Sequence, residues 1–247
     1  MVPGRPDRRL ARVTFAGPYD QGMAAYLANI GVNASHAARS PLGAGGRFLV
    51  VPIPEKVAWR PPMRRLRDAD LAHLQAHAPP SWHEKAVHLD PDLAAPVATY
   101  GDNCRRAGRA FSLRAATPGD LIVFMARLHP PAGAAGFHLV GRLAVAEVLA
   151  DVTSDPGPGW WERNAHVLRA RATGRWDSFW VFRGTEGSGP LARARAFGRR
   201  EAGLLLGGVD WPGHRSALQT IGSHTRAVRR FTGAAEALLR TMSDGLA

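Results

Sequence analysis

The side chains best suited to chemistry fall in three short stretches. Asn33, Ser35 and His36 follow an apolar run, where the end of a strand would project them together into a cleft. Asn33 and Ser35 are equally suited to closing a turn through local backbone hydrogen bonds. Tyr100-Gly101-Asp102 offers a carboxylate that can either work as an acid/base partner or cap a following helix. Asn164 and His166 lie just after Trp160 and Trp161, so an amide, an imidazole and flat aromatic faces occur within seven residues. An amide can pair a base edge and an aromatic face can stack a ring, although tandem tryptophans also serve as core. His166 is the candidate general acid/base because imidazole titrates near neutrality, and Asp102 is its candidate carboxylate partner.

A second group of residues could meet phosphate. Arg183 and Ser188 flank the Arg183-Gly-Thr-Glu-Gly-Ser188 turn, whose backbone N–H groups would face an anion if a helix opens after it. In that setting Ser188 can equally be a helix cap. Arg226, Arg229 and Arg230 share one face if the segment is helical, which suits either a phosphate track or a solvated surface. Lys+Arg 32 against Asp+Glu 20 gives a net charge of +12, which favours a polyanionic partner. Lys56 and Lys85 are the only lysines, and coding bias can explain that ratio but not the shortage of acids.

The absences prune many classes. No phosphate-binding Gly-x-x-x-x-Gly-Lys loop, dinucleotide Gly-x-Gly-x-x-Gly, Gly-x-Ser-x-Gly elbow or His-Glu-x-x-His helix is present. Cys104 stands alone, which excludes an internal disulfide or a paired-cysteine zinc site and fits a reducing cytoplasm. His73 and His77 have the i,i+4 spacing of two ligands on a helix but no convincing third, so the expectation is no metal site. No organic cofactor and no oligomeric state can be read from the residues. The apolar run Phe137–Val152 is broken by Arg142 and Glu147, so no membrane span is expected. Arg5, Arg8, Arg9 and Arg12 precede no apolar stretch, which argues against a secretory signal.

The elements that must position these residues read as follows. Residues 1–9 form a disordered basic leader, and 10–247 one α+β domain whose segment 190–247 is helical. Strands are predicted at 12–16, at 23–30 and at the Pro-containing edge 48–54. The segment from Ala58 to Pro96 is the least readable, with one short helix at 68–78. A helix is predicted over Asn103–Ala115 with Arg105, Arg106 and Arg109 exposed. The Thr117-Pro-Gly-Asp120 turn starts a strand at 121–126, and a Gly/Pro loop returns the chain along a second strand from Phe137, giving a hairpin. Trp176–Phe182 gives another strand, and helices follow at 191–206, 216–231 and 234–242.

Two resemblances join these pieces. The Thr117–Leu149 hairpin resembles the centre of PUA-like domains, the superfamily of EVE and ASCH domains, which implies a mixed barrel or strongly curved sheet with helices at its ends. Leu27-Ala-Asn-Ile-Gly-Val-Asn-Ala-Ser-His36, Ser40-Pro-Leu, Gly46-Arg-Phe, Pro52-Ile-Pro-Glu55, Thr99-Tyr-Gly-Asp102 and Asn164-Ala-His166 resemble the nucleotide-modification-associated domains of DNA base hypermodification systems, with the spacing held from Leu27 to Arg183. That resemblance implies a DNA-associated protein acting on or recognising a modified base or nucleotide. The alternatives are a non-catalytic reader of modified DNA or RNA, and an enzyme acting on a phosphorylated nucleotide. Either way the implied partner is a nucleotide or nucleic acid, with DNA favoured.

Overall fold

The structure, a computed structural model, describes residues 22–105 and 108–245. The strand predicted at 12–16 and the basic leader lie outside these residues. The chain forms strands β1 (Ala25–Ile30), β2 (Ser40–Pro41), β3 (Ile53–Pro54), β4 (Arg64–Arg65), β5 (Ala86–His88), β6 (Thr99–Asp102), β7 (Leu121–His129) and β8 (Gly136–Val152). Helix α1 (Ala165–Thr173), β9 (Phe179–Gly184), β10 (Gly189–Ala196), α2 (Arg199–Leu206), α3 (Ala217–His224), β11 (Arg229–Phe231) and α4 (Gly233–Met242) complete it.

β7 and β8 are the predicted hairpin, antiparallel from Leu121↔Ala144 to Leu128↔Gly136. β1 lies parallel to β7 on its other side. Both strands read as continuous apolar runs because both their faces are covered. Tyr26, Ala28, Ile122 and Phe124 face one core, while Ala25, Leu27, Val123 and Met125 face another closed by Leu205, Ile221 and Leu239 of the C-terminal helices. β8 is long enough to serve two partners, pairing β7 with its first half and β9 from Val145 onward. Register shifts near Val145 and Leu149 bend it. The sheet therefore curls, and Tyr100 of β6 reaches back to put its ring 5.0 Å from that of Phe124 in β7.

The main sheet runs β11-β1-β7-β8-β9-β6, with β10 and β2 attached at β8 and β7. Among the described residues its ends do not pair, so the architecture there is mixed α+β with a large curved sheet and no closed barrel. A second sheet, β3-β5-β4, stands beside it over a core of Val32, Val51, Leu66, Leu74, Trp82 and Val87. The Pro-rich segment supplies its edge strand, as Pro54 requires.

Three helix expectations fail for identifiable reasons. The Ala-rich segment 191–206 has helical propensity, yet its first part is β10, which pairs with β8 from Gly189↔Arg142 to Ala196↔His138. Tertiary pairing overrides propensity there. Helix α3 opens at Ser216, whose hydroxyl accepts from Gln219 N–H at 3.2 Å, and stops at Thr225, before β11. The expected Arg226-Arg229-Arg230 face is therefore absent, and Arg229 and Arg230 point to opposite sides of a strand. Among the described residues of Asn103–Ala115 only Phe111–Ala115 is helical, as a 3-10 turn. Arg106 lies outside the described residues. His73 and His77 also sit on a 3-10 helix, Ala72–His77, where three residues per turn take i and i+4 off a common face.

The Thr117–Asp120 turn does more than reverse the chain. Asp120 is buried, and its carboxylate accepts from Ala24 N–H at 2.7 Å and Thr117 N–H at 2.9 Å, tying the start of β1 to the start of β7. Replacing Asp120 by Ala leaves both donors unpaired and is expected to cost about 2–3 kcal/mol, read as a fall in the urea midpoint. Asp120→Asn, which keeps one acceptor oxygen, should cost less.

Candidate functional site

A cavity of about 670 Å³ lies where the C-terminal end of β1, strand β6, the end of β5 and helices α1 and α3 approach one another. Asn33 and Ser35 line it from the turn after β1, Tyr100 and Asp102 from β6, His88 and Asp90 from β5 and beyond, and His166 from α1. Arg109, Arg127 and Arg226 also line it.

Its floor depends on Gly101. A Cβ at that position would lie 2.7 Å from His166 Cδ2, 2.8 Å from Asn164 Oδ1 and 3.1 Å from Asp90 Oδ2, so only glycine lets β6 and α1 approach this closely. The Gly101 N–H in turn donates to both oxygens of Asp90, at 3.0 and 2.8 Å. Asn164 caps α1, its side chain accepting from His166 N–H at 3.0 Å, while Gly174, with φ of +70°, ends the helix. That cap fixes His166 on the first turn, facing the sheet.

Three groups converge at this floor. His166 Nε2 lies 3.5 Å, and His88 Nε2 3.8 Å, from the same Asp90 oxygen, and the two imidazoles meet edge to face with centroids 4.6 Å apart. On its other nitrogen, His88 Nδ1 is 2.8 Å from Glu55 Oε1. Burial pushes the Asp90 carboxyl well above its usual range, against the Gly101 hydrogen bonds that favour the charged form. Burial, and then the neighbouring His88, pushes His166 well below the usual imidazole range. His166 is therefore neutral near pH 7, a proton acceptor or ligand rather than a resident acid. Burial alone would raise Glu55, but its bond to His88 holds the carboxyl below its ordinary value.

Asp102 has other partners. Tyr100 O–H donates to it at 2.7 Å and Arg109 Nη2 at 3.0 Å, so its carboxylate is engaged at the cavity wall and caps no helix. The partnership expected between His166 and Asp102 is thus replaced by one between His166 and Asp90. Asn33 and Ser35 form both things the sequence allowed: they line the cavity, and Asn33 Oδ1 accepts from Ser35 N–H at 2.9 Å in a local turn. His36 turns away, accepting Asn33 N–H through Nδ1 at 3.0 Å and packing its edge on Trp82. Asn164 stays behind the wall as cap and spacer.

The tryptophans lie elsewhere. Trp160 and Trp161 pack on Leu149, Val167 and Phe179, with Trp160 Nε1 donating to Glu147 at 3.0 Å and Trp161 Nε1 to the Gly157 carbonyl at 3.0 Å. Arg183 is ion-paired with Glu147. Ser188 opens no helix, since its hydroxyl accepts from Ala144 N–H at 3.0 Å beside a strand. Arg230 donates to Tyr26 O–H at 3.3 Å and Arg229 is exposed, so of the C-terminal arginines only Arg226 reaches the cavity.

Sequence reasoning missed His88, Asp90, Glu55 and Arg127. The available signal was His88-Leu-Asp90 at the end of a β-prone Ala-Val-His run, a spacing that sets two side chains on one side of an extended chain.

Residues 25–205, more than two thirds of the chain, match the family described as nucleotide modification associated domain 3. The chain belongs to that family. The matched span of this nucleotide modification associated domain holds every group of the cavity floor, while α3 and Arg226, which complete the wall, lie beyond it. No curated protein and no solved structure matches the chain. No helix among the described residues is long and apolar enough to cross a membrane.

The fit at residue 101 gives a direct check. Gly101→Ala is expected to cost about 1–3 kcal/mol by overpacking, and to shift the imidazole resonances of His88 and His166 in NMR spectra. A variant with unchanged melting and unchanged imidazole signals would mean that the floor is not closely packed.

Proposed function

We propose that this nucleotide modification associated domain is an enzyme of a DNA base-modification system, which takes one nucleotide unit, presented as an extruded base, into the cavity between β1 and β6. The observation that carries the reading is the pairing, in one cavity, of a floor made of half-buried His88 and the buried side chains of Asp90 and His166 with three arginines on the walls. Of these, Arg127 has a buried Nε with no hydrogen-bond partner among the described residues, a donor suited to a phosphate or base oxygen. A cavity of about 670 Å³ is of the size that holds one nucleotide, and a base must leave the stack to reach such a floor.

In this reading Asn33 and Ser35 orient the base edge, Arg127 and Arg226 hold phosphate, and neutral His166 accepts a proton from the substrate or from water. Asp102 acts through Arg109, positioning it. A catalytic role is favoured over a reader because the tryptophans suited to stacking lie outside the cavity, whereas buried titratable groups form its floor. The net charge of +12 favours polymeric DNA as the source of the nucleotide. The β7–β8 hairpin within a curled sheet supports kinship with PUA-like domains in that element, though not in barrel closure.

Nucleoside mass spectrometry of DNA from cells with and without the gene tests the reading. The wild-type gene should produce a base of altered mass, and His166→Ala should abolish it. Arg127→Ala should weaken binding of a labelled oligonucleotide about tenfold and flatten its salt dependence. Identical base profiles with selective binding of modified oligonucleotide would instead identify a reader, in which a lost base-edge contact costs about 1–3 kcal/mol of discrimination.

A further inference from the structure

We propose that His88, Asp90 and His166 bind a divalent first-row transition-metal ion on the cavity floor, leaving coordination positions open toward the substrate. This deepens the reading above and rests on it for the substrate, not for the ion. One nitrogen from each histidine and one oxygen of Asp90 lie within 4.8 Å of one another. The separations from Asp90 Oδ2 are 3.5 Å to His166 Nε2 and 3.8 Å to His88 Nε2, at or beyond the limit of a hydrogen bond. Two donors on one ion with bonds of about 2.1 Å stand roughly 3.0–3.5 Å apart, so closing the triad on a cation takes only small side-chain shifts.

Charge supports the same assignment. The Asp90 side chain is 1% exposed, and among the described residues its contacts include no lysine or arginine. A carboxylate buried without a cationic partner is either held neutral, the direction in which burial pushes Asp90, or kept charged by a bound metal. Its neighbours here are the Gly101 N–H, the Asn164 amide at 3.5 Å and two imidazoles, which serve as metal ligands when neutral. The surroundings are those of a ligand set held in place. Glu55 bonds the far nitrogen of His88 and orients the ring, and Gly101 N–H fixes the Asp90 carboxylate. His88 comes from a strand end and His166 from the first turn of a helix, while Asp90, two residues beyond the strand, is held by the Gly101 N–H.

The mixed imidazole and carboxylate set favours zinc, iron(II) or manganese over calcium and magnesium, which prefer all-oxygen sites. Three protein ligands leave room for water and one substrate atom, and the cavity supplies access to them. An ion placed there would act as a Lewis acid on a substrate oxygen or bind a water in a more acidic form.

The test uses full-length protein stripped with chelator and then titrated calorimetrically with zinc, manganese or anaerobic iron(II), each alone and without nucleotide. Binding of one equivalent of at least one metal is expected, with magnesium binding far more weakly. His88→Ala and His166→Ala should each lower affinity about a hundredfold or more, and Glu55→Gln about 10–100-fold. Asp90→Asn keeps an acceptor for Gly101 N–H, so it tests the carboxylate without undoing the floor. Circular dichroism checks that each variant is folded. In the cobalt-substituted protein, visible absorption bands should appear with the wild type and be lost with His88→Ala.

The absence of stoichiometric binding by the wild type, equal binding of magnesium, or binding indifferent to both histidine substitutions would overturn the proposal. Stripped protein that binds no metal yet still takes up nucleotide would overturn this proposal alone. Metal-loaded protein that ignores nucleotide would overturn only the earlier reading.

Discussion

The approach of β6 to α1 across Gly101 is the constraint on which the site depends. With no side chain at that residue, the backbone N–H can reach both oxygens of Asp90 while His166 and Asn164 close in from the helix. One backbone donor thereby orients a carboxylate that belongs to the other sheet. The Asn164 cap then sets the rotation of α1, and hence which side of it carries His166. Each contact is ordinary in strength, but together they leave the three floor groups few alternative arrangements.

The arginines are divided in a way that composition does not reveal. Some are absorbed by partners, as Arg183 is by Glu147 and Arg171 by Asp155. Arg109 is shared between its bonds to Asp102 and the cavity, while Arg127 and Arg226 face the cavity from the hairpin and from the end of α3. The positive charge that matters at the site thus comes from three distant points in the chain rather than from one helix face. Net charge describes attraction at long range, and the fold decides where that attraction is used.

Much of the central sheet was legible because its signals are local. The Thr117–Asp120 turn, the apolar run behind it and the Gly/Pro loop specify the hairpin with little help from elsewhere. His166 and Asp102 stood out as titratable side chains, and both line the cavity, while Asn33 and Ser35 stood out as residues of a turn, since residue type and immediate neighbours suffice for that. The partner of His166 was not, because Asp90 meets it only through the docking of segments more than seventy residues apart. The strand at 189–196 was hidden for a related reason: an Ala/Arg repeat favours helix on its own, and only pairing with the distant β8 makes it a strand. Trp160 and Trp161 drew attention by type, yet their large apolar faces are used to cover the far side of β8 and β9.

The floor is assembled at a seam. His88 and Asp90 arrive with the small sheet, whereas Gly101 and His166 arrive with the large one and its helix, so neither sheet carries the constellation alone. This bears on the order of events during folding. The β7–β8 hairpin closes a short loop and can form early, whereas the β1–β7 pair and the floor contacts between positions 55, 88, 101 and 166 join distant segments and come later. The floor is then completed only when the two sheets dock, and local opening between them would take it apart while the hairpin persists. A chain caught half-folded would have its hairpin and no assembled cavity floor.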